Sequence, residues 1–177
     1  MRLFIALLFP KQIKDKIYDY QTEVKTLFSE GNFTGFDNLH LTILYLGETD
    51  KLMFDKIKQK LKEIVIHPFT YQTGRIDCFK KHKAKKIVYL EVKNNYSLKR
   101  LYNQVCIKLK ELGLDFPTEK YTPHITLGRQ VSILDMQKLY RINAKSLTVK
   151  ATKISLMEST RINGKLTYIE RDYIELN

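Results

Sequence analysis

Two short runs in this 177-residue chain carry residue types suited to proton transfer, at matching spacing. One is Asn38-Leu39-His40-Leu41-Thr42-Ile43-Leu44. The other is Tyr121-Thr122-Pro123-His124-Ile125-Thr126-Leu127-Gly128-Arg129. Each sets a His and a Thr two positions apart within an apolar run that reads as a β-strand, and the two histidines are 84 residues apart. Residues two apart on a strand share a face. His40 therefore projects with Thr42 and His124 with Thr126, while Leu41, Ile43, Ile125 and Leu127 point away into a core. The same alternation sends Tyr45 into the core.

Two imidazoles and two hydroxyls on one concave surface suit chemistry at a phosphodiester. An imidazole titrates near pH 6.5, so at neutral pH one can be neutral and the other protonated. The neutral ring accepts a proton from attacking water; the protonated ring donates to the departing oxygen. Threonine hydroxyls can bind non-bridging phosphate oxygens. Arg129, five residues past His124, is placed to neutralise the growing charge. A single His-x-Thr carries little weight, because Thr is common in strands; its recurrence in two similar strands carries the argument. Phe36, Tyr45 and Tyr121 are candidates to stack on a base, with core packing the stronger reading for Tyr45. His67, before Pro68, and His82, in the basic run 80–85, read as solvated or capping groups. The four histidines lack helical i, i+4 spacing and a carboxylate cluster, so no metal is expected. With no GxxxxGK[ST], GxGxxG or nucleophile elbow in the sequence, nothing points to a nucleotide cofactor or to a Ser or Cys nucleophile.

The elements that must hold these residues follow from periodicity. Arg2–Phe9 is a continuous apolar run, as in a strand buried on both faces. Apolar steps of three and four predict a helix from Lys11 to Phe28, followed by a loop over Ser29–Asp37. Leu39–Leu46 is the first motif strand. Asp50 caps a helix running to about Val65. Strands are expected at Phe69–Phe79 and Lys86–Lys93, joined by the basic tip 80–85. A shift of 84 residues carries the first strand onto Ile87–Val92 and the first helix onto Tyr96–Leu112, which Gly113 ends as a C-cap glycine. The same shift carries His40 onto His124. A short helix at Ile133–Tyr140, a strand at Thr152–Glu158 and a final strand pair, Leu166–Glu170 with Tyr173–Leu176, complete the chain. The expected architecture is α+β: one bilobal domain over 1–177, internally duplicated at about 1–84 and 85–177. Its two lobes are related by a pseudo-twofold. Each is an antiparallel sheet with helices on its outer face, and the active-site cleft lies between them.

Composition bounds the partners. Hydrophobic content of 44% is that of a globular chain, and the net charge of +12 favours a polyanion, nucleic acid ahead of an anionic membrane. Cys78 and Cys106 have no CxxC spacing and read as reduced thiols. The apolar N-terminus is too short to span a bilayer and lacks a small-residue cleavage site. A soluble, cytoplasmic monomer is expected, with no membrane association.

These motifs resemble the 2H phosphoesterase superfamily. The opening Met1–Ala6, the stretches His40–Glu48 and Pro123–Arg129, and Ile154–Ser159 resemble its RNA 2′,3′-cyclic phosphodiesterase branch. Where relatives often carry Trp and Pro ahead of the first motif, this chain has Phe33-Thr34-Gly35-Phe36-Asp37-Asn38. The resemblance implies opening of a terminal 2′,3′-cyclic phosphate on RNA to a 2′-phosphomonoester, without cofactor or metal. His40 would be the proton donor and His124 the proton acceptor, with Thr42, Thr126 and Arg129 holding the phosphate. It also implies 2′,5′ ligation of RNA, including tRNA halves, as the reverse reaction. Two alternatives stand beside it. One is a 2H enzyme acting on 2′,5′-oligoadenylate, a cyclic nucleotide or an ADP-ribose cyclic phosphate; the other is a non-catalytic module that binds RNA ends.

Overall fold

The first strand, β1 (Arg2–Leu8), buries five consecutive residues, Leu3–Leu7. It can do so because both its faces are covered. Leu3, Ile5 and Leu7 enter the main core, whereas Phe4 and Ala6 form a separate small cluster with Met157, flanked by Leu8 and Tyr168. The computed structural model describes residues 1–79, 85–93, 95–114, 116, 121–133 and 135–177.

After β1 come α1 (Lys11–Lys25), β2 (Phe28–Phe33), a 3₁₀ turn at Phe36–Asn38, β3 (His40–Glu48) and α2 (Lys51–Leu61). They are followed by β4 (Phe69–Phe79), β5 (Lys86–Val92), α3 (Tyr96–Lys110), β6 (His124–Ile133) and α4 (Met136–Arg141). The chain closes with β7 (Thr148–Ala151), β8 (Lys153–Ile162) and β9 (Lys165–Glu175). The strands form two antiparallel sheets among the described residues, ordered β3-β1-β8-β9 and β2-β6-β5-β4-β7. The α+β expectation is met. Moving β1, β3 and β4 along by 84 residues lands on β5, β6 and β8. The row β3-β1-β8 of one sheet thus matches β6-β5-β4 of the other, with the third strand of each half seated in the opposite sheet.

One continuous core joins Ile17 and Val24 of α1, Ile57 and Leu61 of α2, and Leu98, Leu101, Val105 and Leu109 of α3 to both sheets. The helices therefore cover the sheet faces turned away from the histidines. Asp50 and Asn95 cap α2 and α3 by accepting from the main-chain N–H of Met53 (2.7 Å) and Leu98 (3.1 Å). Gly113 ends α3 at φ +76°, in the left-handed region. Cys78 is buried in the core and Cys106 is half-buried on α3. Among the described residues no helix is long and apolar enough to cross a membrane.

Several expectations are corrected. The first helix stops at Lys25 instead of Phe28, and the expected loop 29–37 contains most of β2, an edge strand paired to β6. The second helix stops at Leu61, leaving Val65 exposed while Ile64 stays buried. The final strand pair is one strand, β9, which turns back on β8 at Asn163-Gly164. Of the basic tip 80–85, Lys80–Ala84, including His82, lie outside the described residues.

Candidate active site

Both histidines stand at the first position of their strands, β3 and β6, which lie against each other where the two sheets meet. The local geometry repeats. His40 Nδ1 is 2.7 Å from the carbonyl of Asn38, and His124 Nδ1 is 2.8 Å from the carbonyl of Thr122. A carbonyl only accepts, so each Nδ1 carries the hydrogen, and each neutral ring keeps its lone pair on Nε2. Nε2 of His40 lies 2.9 Å from Thr42 Oγ1. Asn38 also fastens this corner to β9: its side-chain oxygen accepts from Tyr168 N–H (3.1 Å), and its amide donates to the Leu166 carbonyl (2.9 Å).

Each imidazole is boxed by two aromatic rings. Phe4 and Tyr168 have ring centroids 4.9 and 5.2 Å from His40; Phe79 and Tyr89 lie 4.9 and 5.5 Å from His124. Alternation along β1 and β5 could have placed Phe4 and Tyr89 on the motif face, since β1 pairs with β3 and β5 with β6. The place of Tyr168, brought in by β9 from the far end of the chain, had no local signal.

This enclosure sets the electrostatics. Desolvation first, and then the positive charges of Arg129, His124 and Lys14, together pull the His40 pKa from 6.5 to about 4 against the opposing hydrogen bond to Asn38. His124 is lowered too, first by desolvation and then by Arg129, against its bond to Thr122. Both rings are therefore held neutral near pH 7 in the free protein, in contrast to the expected neutral and protonated pair.

His40, Thr42, His124 and Arg129 share the wall of one cleft of about 870 Å³. Thr126 is half-buried on β6 opposite Tyr89 of β5, and it is not among the described residues lining the cleft. Tyr121 and Phe36 do not line it either. The Tyr121 hydroxyl donates to the Thr42 carbonyl (3.0 Å) and its ring stacks on Tyr102 (centroids 4.5 Å apart), which ties the approach to β6 onto β3. Phe36 packs edge-on to Tyr18 (5.6 Å) beside the Lys14 ammonium (5.8 Å). Neither ring is placed to stack on a base in this cleft.

Arg129 and Tyr45 reach the cleft by the same device. Plain alternation would turn a residue five past the histidine away from it. In β6, Thr126 pairs with Tyr89 and Gly128 with Val88, so the register passes over Leu127. In β3, Thr42 pairs with Ala6 and Leu44 with Ile5, passing over Ile43. One extra residue reverses the faces beyond it. Arg129 is thereby brought onto the His124 face. Tyr45 is brought onto the His40 face, opposite Phe4, 51% exposed and lining the cleft. This overturns the expectation of a core Tyr45: period-two counting does not show a bulge.

Among the described residues no group of three His, Cys, Asp or Glu side chains is gathered as metal ligands. The sequence profile of the 2′-5′ RNA ligase superfamily matches residues 14–163. The chain belongs to this superfamily. Its relatives include proteins named RNA 2′,3′-cyclic phosphodiesterase. The one from Archaeoglobus fulgidus is 32% identical over 130 residues, 73% of this chain and 72% of its own. The one from Bacillus subtilis is 30% identical over 129 residues, 72% and 70% of the two chains. The crystal structure of Escherichia coli LigT complexed with 3′-AMP superposes with a TM-score of 0.81 at 24% identity, covering 99% of this chain and 97% of that one. At that identity the likeness is one of fold. The resemblance to the 2H phosphoesterases, drawn from the motifs, agrees with this membership.

Proposed function

We propose that this member of the 2′-5′ RNA ligase superfamily hydrolyses a terminal 2′,3′-cyclic phosphate on RNA to a 2′-phosphomonoester. The observation that carries the reading is the matched pair of imidazoles, each with Nδ1–H held by a carbonyl two residues upstream, in one cleft with Arg129. The activity named for the relatives agrees with it. In this reaction water loses a proton to His124 Nε2 and attacks phosphorus. The P–O3′ bond breaks, and O3′ takes a proton from His40 Nε2–H. Arg129 and the Thr42 hydroxyl hold the non-bridging oxygens, with Thr126 supporting from β6. The assignment of donor to His40 and acceptor to His124 follows the family resemblance. With a 5′-hydroxyl in place of water, the same proton movements form a P–O5′ bond as P–O3′ breaks and make a 2′,5′ linkage, the ligation that tRNA halves would undergo.

The low pKa of His40 bears on the donor role. At a pKa near 4, only about one free molecule in a thousand carries the proton at pH 7. A bound phosphate anion answers Arg129 and faces the ring directly, and an opposite charge at that range raises a pKa by about 1–3 units. The substrate thus brings the acid into its working form, which confines protonation to the complex. The 84-residue correspondence of strands also supports an internal duplication whose halves have exchanged their third strands.

The test is an RNA oligonucleotide ending in a 2′,3′-cyclic phosphate, incubated with the protein in EDTA, with the product identified by phosphorus NMR. A 2′-phosphate is expected; no conversion, or a 3′-phosphate, overturns the proposal. His40→Ala and His124→Ala should each slow turnover by about 10²–10⁴, the usual contribution of a general acid or base, while circular dichroism stays native.

A further inference from the structure

The cleft is much larger than a cyclic phosphate needs. Its volume of about 870 Å³ lies near the top of the about 300–1,000 Å³ range of small-molecule sites. Away from the histidines its described wall includes Arg2, Tyr45, Glu48, Glu158 and Arg161, none of which the proposed reaction uses. On the cleft face the pairs Leu8–His40, Ala6–Thr42 and Phe4–Tyr45 follow one another along β1 and β3. Tyr45 therefore stands four β1 residues from His40, about 13 Å along the strand. From Thr42, which the proposed reaction places on the phosphate, it is two β1 residues, about 7 Å along the strand.

The chemistry there suits a second nucleotide. Tyr45 offers a half-exposed ring, with the Arg2 guanidinium 5.9 Å from its centroid. The nearby carboxylates carry their own cations. Glu158 is answered by Arg171 (2.6 Å), and Glu48 by the Met1 ammonium (3.9 Å), so that an incoming phosphate shares Arg2 with Glu48 (3.6 Å). Arg161 is anchored through one of its five donors to the Gly164 carbonyl (2.7 Å), which holds its charge at the rim of the cleft. An aromatic ring beside arginines is the pattern that binds single-stranded nucleic acid, by stacking on a base and by contacts to the backbone. Tyr45 also occupies, 84 residues earlier and through the same bulge, the position that Arg129 holds on the other sheet. One side presents a cation suited to phosphate, the other a ring suited to a base.

We infer that Tyr45, Arg2 and Arg161 form a subsite for the nucleotide preceding the terminal one, with its base stacked on Tyr45 and its phosphodiester held by the two arginines. The inference rests on the reading of the first site as one for RNA ends, and it makes the preferred substrate a chain instead of a mononucleotide.

The experiment uses binding, which needs no turnover. A trinucleotide with 2-aminopurine at the penultimate position and a terminal 2′-phosphate is titrated with the wild-type protein, Tyr45→Ala and Tyr45→Phe. The expected result is quenching on binding to the wild type and Tyr45→Phe, its loss in Tyr45→Ala, and about tenfold weaker trinucleotide binding by Tyr45→Ala relative to a nucleoside 2′-phosphate. Absence of quenching in the wild type, equal quenching in Tyr45→Ala, or equal weakening for both ligands overturns the subsite. Failure of the EDTA assay would instead strike the hydrolytic reading and leave this result to stand alone.

Discussion

A histidine whose Nδ1 proton is fixed by a carbonyl can exchange protons only at Nε2, and both motif histidines are fixed this way. What separates this pair from an ordinary pair is the charge around it. Arg129 lowers the pKa of both rings, because a cation disfavours a second positive charge nearby. Arg129→Ala should therefore move the His40 titration upward from about 4, in a proton NMR titration of the ring Cε1–H resonances. In the wild type, saturating a nucleoside 2′-phosphate should move it upward as well. A free His40 that titrates at 6.5 or above would refute the enclosure by Phe4 and Tyr168 as the source of the shift. The same variant should lose about 10²–10³ in kcat/KM, the scale of removing one charge-stabilising donor from a reacting centre. His40, Thr42 and His124 were legible in the sequence because a repeated motif is a local signal; Arg129, whose counterpart in the first motif is Tyr45, was read only from its nearness to His124. Phe4, Tyr89, Phe79 and Tyr168 were not singled out, since what makes them part of the site is strand pairing across the chain.

At the scale of elements, the strands with long apolar patterns were readable and the irregular ones were not. β4 matches its expected bounds, Phe69–Phe79, because alternation and Pro68 define it. β2, Phe-Ser-Glu-Gly-Asn-Phe, has the composition of a loop and is a strand only because β6 pairs with it about a hundred residues away. Its closeness to β6 depends on a missing side chain: a Cβ on Gly31 would lie 2.2 Å from Val131 Cγ1 and 3.2 Å from the Val131 Cα. The Val131 side chain cannot absorb that alone, so the backbone of β2 must move. Gly31→Ala should destabilise the protein by about 1–3 kcal/mol in urea unfolding, the usual cost of overpacking. A loss under about 0.5 kcal/mol would mean that β2 yields without cost. The bulges at Ile43 and Leu127 escaped detection for a related reason. They change which face a residue occupies without changing the composition of the strand, and so Tyr45 was assigned to the wrong side.

For the whole molecule, the decisive fact is that each sheet takes strands from both halves of the chain, so neither wall of the cleft can form without the other half. Loss of either wall exposes the histidines, which links their ionisation to global stability. The sign follows from the direction of the shift. His40 titrates near 6.5 in the unfolded chain and near 4 in the folded one, so between these values the unfolded chain binds more protons. The stabilisation is complete above pH 6.5 and is lost as the pH falls toward 4. At about 1.4 kcal/mol per pKa unit it amounts to about 3 kcal/mol. His124, shifted the same way, adds to the loss in the same direction. Carboxylates held low by cations, such as Glu63 and Glu111 beside Lys60 and Lys108, begin to act only at the acid end of this window, as the pH falls from about 4.5, and do so in every variant alike. The net charge of +12 at neutral pH grows as the solution is acidified and adds self-repulsion to every variant alike. Comparing the wild type with His40→Asn therefore isolates the ring. Urea midpoints measured from pH 7.5 to 4 should fall more steeply for the wild type, and the two curves should converge toward pH 4 by about 3 kcal/mol relative to their separation at neutral pH. Parallel curves would show that His40 takes up its proton in the folded state as readily as in the unfolded chain, and that the aromatic box does not hold it neutral.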